Sequence, residues 1–164
     1  MTLRPAFALA GCVGLGLPIT GAAFADTNAL LAQAYLSCLH GNGNGERTVE
    51  AFAATGWLPA GPAEDGLIYF TRPEADAPYV YAGAEGTFCH VETPTLGTDA
   101  ARKLLDETLA ADGAKVTDAG FSVDDCPQQN LPGWGFVTVT SGGQDPTCSS
   151  RTDSAVRFEY DSIE

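Results

Sequence analysis

The chain has 164 residues, of which 21 are acidic and 8 basic, and its net charge is −13 at pH 7. A field of that sign repels nucleic-acid phosphates and anionic lipid headgroups, which excludes a nucleic-acid partner. The length is enough for one domain with a proper core and too short for two.

The segment opens Met1-Thr2-Leu3-Arg4, with one cation and no acid, and runs on through small and apolar residues from Ala6 to Ala23. Ala23-Phe24-Ala25 then places small residues at the two positions a signal peptidase reads. Residues 1–25 are therefore expected to be a cleaved signal peptide, and 26–164 a single acidic, disulfide-stapled domain that is periplasmic or secreted. Gly11, Gly14, Gly16, Pro18 and Gly21 interrupt the apolar stretch. It barely reaches the roughly 20 apolar residues that span a bilayer, so no integral membrane segment is expected after cleavage. Leu9-Ala10-Gly11-Cys12 also matches a lipobox, in which Cys12 would carry lipid. The apolar stretch continues well beyond Cys12, where lipoproteins turn polar, and this is the alternative. Leu17-Pro18-Ile19-Thr20-Gly21 matches a sortase signal in the wrong part of the chain.

Without residues 1–25 the chain keeps all 21 acids and 7 of its basic residues, a net charge of −14. It also keeps Cys38, Cys89, Cys126 and Cys148, an even number, read as two disulfides with three possible pairings. No two are spaced C-x-x-C, against a zinc ribbon or a redox pair. The preferred pairing is Cys38 with Cys89, tying the first helix to a central strand, and Cys126 with Cys148, closing a loop around one hairpin.

Residues 27–40 are predicted helical, with Asp26 or Thr27 as cap, Leu31, Ala34, Tyr35 and Cys38 at helical spacing, and Gly41 as left-handed terminator. A Gly-Asn-Gly-Asn-Gly loop over 41–45 leads to a short helix at 46–55, stopped by Gly56, with Trp57 folding back on Phe52 or Ala53. Strands are predicted at 67–71, 79–82 and 87–92, the last two forming a hairpin. The clearest helix is 99–111, with Thr98 as N-cap, Gly113 after its end, and a stripe of Ala101, Leu104, Leu105, Thr108 and Leu109. Strands at 115–123, 134–140 and 155–160 follow, with long connections at 125–133 and 141–153. The expected fold is α+β: two short N-terminal helices and one longer central helix on an antiparallel sheet of five to six strands. No internal repeat is visible.

Only two histidines are present. His40, in the last turn of its helix, suits the negative end of the helix dipole. Phe88, His90 and Glu92 share one strand face, and His-x-Glu on a strand supplies either two metal ligands or a base with its orienting carboxylate. His40 is the one further imidazole that would complete a metal site. Short matches of this kind are common by chance; otherwise His90 is a solvent-facing residue on a half-wet sheet. The 41–45 loop follows a helix and lacks a Gly-Lys-Ser/Thr ending, so it is no phosphate loop, and as a calcium loop it lacks the closing glutamate. The paired acids Glu64-Asp65, Asp106-Glu107 and Asp124-Asp125 carry no cleft geometry in their spacing. Tyr69, Tyr79, Tyr81 and Trp134 fall on predicted strands, where aromatics form core or cross-strand pairs. Should they be exposed together, Tyr79, Tyr81 and Trp134 are candidates for a recognition patch.

No G-x-S-x-G or other catalytic motif occurs, and no cofactor is implied. The expectation is an exported, non-catalytic binding or accessory domain that takes an unknown protein or small-molecule ligand through the sheet face or the loop near Trp134. The alternatives are a small hydrolase or metal-dependent enzyme centred on His90 and Glu92, and a structural envelope protein.

Overall fold

The computed structural model describes residues 22–60, 66–122, 125–133 and 135–160, with side chains from Thr27 onward. The first 21 residues, which hold most of the expected signal peptide, lie outside the described residues, as do Glu64-Asp65, Asp124 and Trp134.

Three helices and eight strands form in the described part, in the order α1 (Ala22–Gly41), α2 (Gly45–Ala54), β1 (Leu58–Pro59), β2 (Leu67–Thr71), β3 (Tyr79–Gly83), β4 (Phe88–Thr93), α3 (Thr98–Asp112), β5 (Thr117–Phe121), β6 (Pro127–Leu131), β7 (Gly135–Thr140) and β8 (Ser154–Tyr160). The strands make one antiparallel sheet in the order β1-β2-β3-β4-β8-β7-β6-β5. Two four-stranded meanders, each preceded by helix, thus meet along β4 and β8. The architecture is α+β, and the sheet is larger than the five to six strands expected.

The two extra strands have simple reasons for escaping notice. β1 has only two residues, both exposed. β6, expected as a loop, reads Pro-Gln-Gln-Asn-Leu with no apolar alternation, because Gln129 meets the helix layer through a hydrogen bond from its Nε2 to Asp106 Oδ1 of α3, 2.9 Å.

Helix boundaries also differ. α1 begins at Ala22, so Asp26 and Thr27 continue a helix and do not cap it. At its other end Asn42 and Gly43 adopt positive φ, while Gly41 stays helical. Gly41 is needed for a different reason: a Cβ there would lie 2.2 Å from Thr48 Oγ1, where α1 meets α2. The N-cap of α2 is Asn44, whose Oδ1 accepts from Arg47 N at 3.0 Å. Trp57 N–H donates to Phe52 O at 3.0 Å and Gly56 N–H to Ala53 O at 3.1 Å, a Schellman ending in which Trp57 meets Phe52 edge-on. Thr98 is the first residue of α3 and not its cap; that position belongs to Gly97, and Gly113 closes the helix with φ 81°.

The helices cover one face of the sheet. Leu31, Tyr35, Leu39, Phe52, Trp57, Leu105 and Leu109 pack on Phe70, Val80, Val91, Val137, Val139, Val156 and Phe158, all fully or almost fully buried. Two disulfides lock the arrangement. Cys38–Cys89 ties α1 to β4, and Cys126–Cys148 ties the start of β6 to the β7–β8 loop. Such bonds suit an oxidising environment. Among the described residues, no helix is long and apolar enough to cross a membrane.

Candidate functional site

Alternation along each strand sends every second residue to the face that no helix among the described residues covers. On β4 these are Phe88, His90 and Glu92, opposite the buried Cys89, Val91 and Thr93. The register extends the row across six strands: Gln128 pairs with Thr138, Thr138 with Arg157, Arg157 with His90, His90 with Tyr81, and Tyr81 with Tyr69. Tyr79 and Glu92 sit side by side in the next row, and Phe88 and Glu159 in the row on the other side.

One end of this open face is aromatic. Tyr69, Tyr79 and Tyr81 stand with ring centroids 5.6–6.0 Å apart, Phe88 meets Tyr81 edge-on at 5.9 Å, and Tyr81 stacks on His90 at 4.5 Å. Tyr79 is 54% exposed. Tyr79 and Tyr81 therefore lie together on the surface; Trp134 lies outside the described residues.

The other end is walled. The β7–β8 loop bends over the sheet, and with Phe121 and Ser122 it encloses a cleft of about 420 Å³ whose floor is Tyr81, His90, Gln128, Thr138 and Arg157. That volume lies in the range of small-molecule sites. A larger groove of about 590 Å³ runs between α3 and the β5–β6 hairpin, where Arg102, Asp106, Asp118, Gln128 and Gln129 surround Ala110, Ala114 and Val116. It has polar side chains but no aromatic ring in its lining, whereas the cleft combines polar groups with Tyr81, His90 and Phe121 and is the better candidate.

The wall of the cleft is fixed in place. Gly143 N–H donates to Glu92 Oε1 at 3.1 Å and Gly142 N–H to Asp153 Oδ2 at 2.7 Å. Thr147 N–H donates to Ser141 Oγ at 2.8 Å. Thr98 N–H donates to Ser150 O at 3.0 Å, pinning the loop to the start of α3, and Cys148 is bonded to Cys126. Hydrogen bonds from the Ser150 hydroxyl, the Gly142 amide and the Thr152 hydroxyl hold the Asp153 carboxyl below its usual range.

His90 is not the solvent-facing residue expected. Its side chain is 14% exposed, beneath Tyr81, and Nε2 lies 3.5 Å from Glu92 Oε2, too far for a good hydrogen bond. Burial pushes the imidazole below its ordinary pKa, with Glu92 pulling the other way. The floor thus carries a neutral histidine near neutral pH. Arg157 Nε lies 3.4 Å from Glu159 Oε1, which offsets its charge. Burial raises the Tyr81 phenol above its ordinary pKa.

No family model, curated protein or solved structure matches the chain. What the site does must come from its own residues.

His90 and Glu92 are together, as their shared face required, but His40 is elsewhere. It lies in the helix layer, with Nε2 3.2 Å from Asp112 Oδ1, joining the ends of α1 and α3. Among the described residues no three of His, Cys, Asp or Glu gather as a metal site would need. The 41–45 loop packs on the β3–β4 turn: a Cβ on Gly45 would lie 1.9 Å from Ala84 O, and one on Gly86 2.5 Å from the Gly43 carbonyl. Its glycines serve that close approach. The residues that sequence alone did not suggest are Gln128, Thr138, Arg157 and Phe121. Parity would have grouped Arg157 with Glu159, but nothing local told which strand lay beside them.

Proposed function

We propose that the protein is an exported recognition module, with residues 1–25 removed as a signal peptide, which binds its ligand on the open face of the sheet without catalysis. The observation that carries this reading is an eight-stranded sheet that, among the described residues, is covered by helices on one face only, and whose other face presents clustered tyrosines beside a walled cleft. A solvent-facing sheet with no task would show scattered polar residues; contiguous aromatic surface marks contact with something else. The loop over the cleft is already held by hydrogen bonds and a disulfide, so little ordering entropy opposes binding. Export is supported by the charge and apolar pattern of the first 25 residues and by the two disulfides.

The test is recovery of the protein from its exported fraction, followed by native mass spectrometry of whatever stays bound. Tyr79→Ala combined with Tyr81→Ala should release the bound component, and Lys103→Ala, on the exposed side of α3, should retain it. Retention unaffected by the tyrosine changes would place the binding surface elsewhere and refute the proposal.

A further inference from the structure

We infer that the cleft over His90 is a saccharide subsite, taking a neutral, hydroxyl-rich ring; this rests on the open sheet face being the recognition surface. The lining argues against an anionic, a cationic or a purely apolar ligand. An anion needs an unmatched cation, but Arg157 is already beside Glu159 and the chain around it carries −13. A cation needs a free carboxylate; Glu159, which lines the cleft, is beside Arg157, and Glu92, next to the cleft behind His90, has Oε1 occupied by the Gly143 amide and Oε2 facing His90. A purely apolar ligand would strip water from the Gln128 amide, which has one long hydrogen bond to Thr138 Oγ1 at 3.3 Å, and from the outer atoms of the Arg157–Glu159 pair, at about 1–3 kcal/mol for each group left unpaired.

A neutral ring bearing hydroxyls meets none of these objections. Its hydroxyls both donate and accept, which suits a lining that mixes the Gln128 amide, the Thr138 and Thr140 hydroxyls and the Arg157–Glu159 pair. Its axial C–H faces are apolar and suit an aromatic surface, which Phe121 supplies at the rim, 70% exposed, and Tyr81 on the floor.

Titration of the oxidised protein with glucose, galactose, N-acetylglucosamine and maltose at millimolar concentration, followed by amide NMR, tests this. At least one should shift the amides of Gln128, Thr138, Gly143 and Arg157 saturably. Phe121→Ala and Gln128→Ala should each weaken that binding about tenfold, the equivalent of about 1.4 kcal/mol, while Leu58→Ala, on the far edge strand, should leave it within error. Glucose 6-phosphate and spermidine serve as charged controls. If no neutral sugar shifts these amides, or if either charged control shifts them more strongly, the saccharide assignment is overturned. The native-ligand experiment above separates the two claims: release by the tyrosine substitutions without sugar binding removes only the ligand class, whereas retention despite them removes the open-face reading.

Discussion

The two disulfides close loops of different size, and the difference predicts an order of stabilities. Cys38–Cys89 spans 51 residues and Cys126–Cys148 spans 22. In the chain-entropy account, restricting the unfolded chain by these loops is worth about 4.1 and about 3.4 kcal/mol. Packing widens the gap. Cys38 and Cys89 are both wholly buried between α1 and β4, so Cys38→Ala with Cys89→Ala also leaves a void in the core. Of the second pair Cys126 is buried too, but Cys148 is only half-buried in its loop, where the surroundings can close up. Urea unfolding followed by far-UV circular dichroism should give the first double variant a loss of at least about 4 kcal/mol, and the second a smaller one, about 3 kcal/mol. The second should nevertheless be the more sensitive to proteolysis within residues 141–153, because it frees the wall of the cleft. Equal losses, or a larger loss for the Cys126/Cys148 variant, would refute the loop-length reasoning. Unchanged cleavage of the β7–β8 loop would show that its hydrogen bonds suffice to hold it.

Three further outcomes follow from local features. Gly86 and Gly113 both have positive φ, but a Cβ on Gly113 meets nothing within 4 Å whereas one on Gly86 meets the Gly43 carbonyl at 2.5 Å. Gly113→Ala should therefore cost about 1 kcal/mol from backbone strain alone, and Gly86→Ala about 1–3 kcal/mol more, by thermal or urea unfolding. Trp57→Ala, at the wholly buried junction with Phe52 and the Arg72 guanidinium, should cost about 3–5 kcal/mol in the same assay. His90 supplies a pH signature: burial lowers its pKa below 6.5, so below that pH the unfolded chain binds a proton that the folded chain resists. Stability should fall as pH drops from about 6.5 towards the lower folded value, and His90→Gln should flatten that part of the urea-midpoint profile. Asp153, whose folded pKa is below 3.8, gives its loss at more acid pH, separate from the histidine window. An unchanged slope in His90→Gln would mean that another group carries it.

Most elements were legible because their side chains obey one period. Leu31, Ala34, Tyr35 and Cys38 repeat as a helix does, and Val156, Phe158 and Tyr160 alternate with Arg157 and Glu159 as a strand does. β6 obeyed neither, since Gln129 enters the helix-facing row as a hydrogen-bonding residue. The ends of elements failed for a different reason: a glycine near a helix end signals a left-handed turn or a close contact, and sequence does not distinguish them. Gly113 is the first kind and Gly41 the second.

The candidate site was half legible, and the division has a physical basis. Parity places residues two apart on the same face, so Phe88, His90 and Glu92 belong together whatever the fold, as do Arg157 and Glu159. Which of these sets become neighbours depends on the order of strands in the sheet, and that is fixed by packing between distant parts of the chain. The topology repeats, helix then four-stranded meander, without any repeat in sequence to announce it, and each meander ends at the centre of the sheet. The two last strands, β4 and β8, therefore pair, and the His90 row joins the Arg157 row. The cleft depends on that junction. β4 brings the half-buried histidine and its carboxylate, β8 brings a guanidinium already matched by Glu159, and the loop entering β8 is the one long enough to fold over both. A neutral, polar, aromatic-rimmed site thus arises where two meanders meet, and either alone would present only half of it.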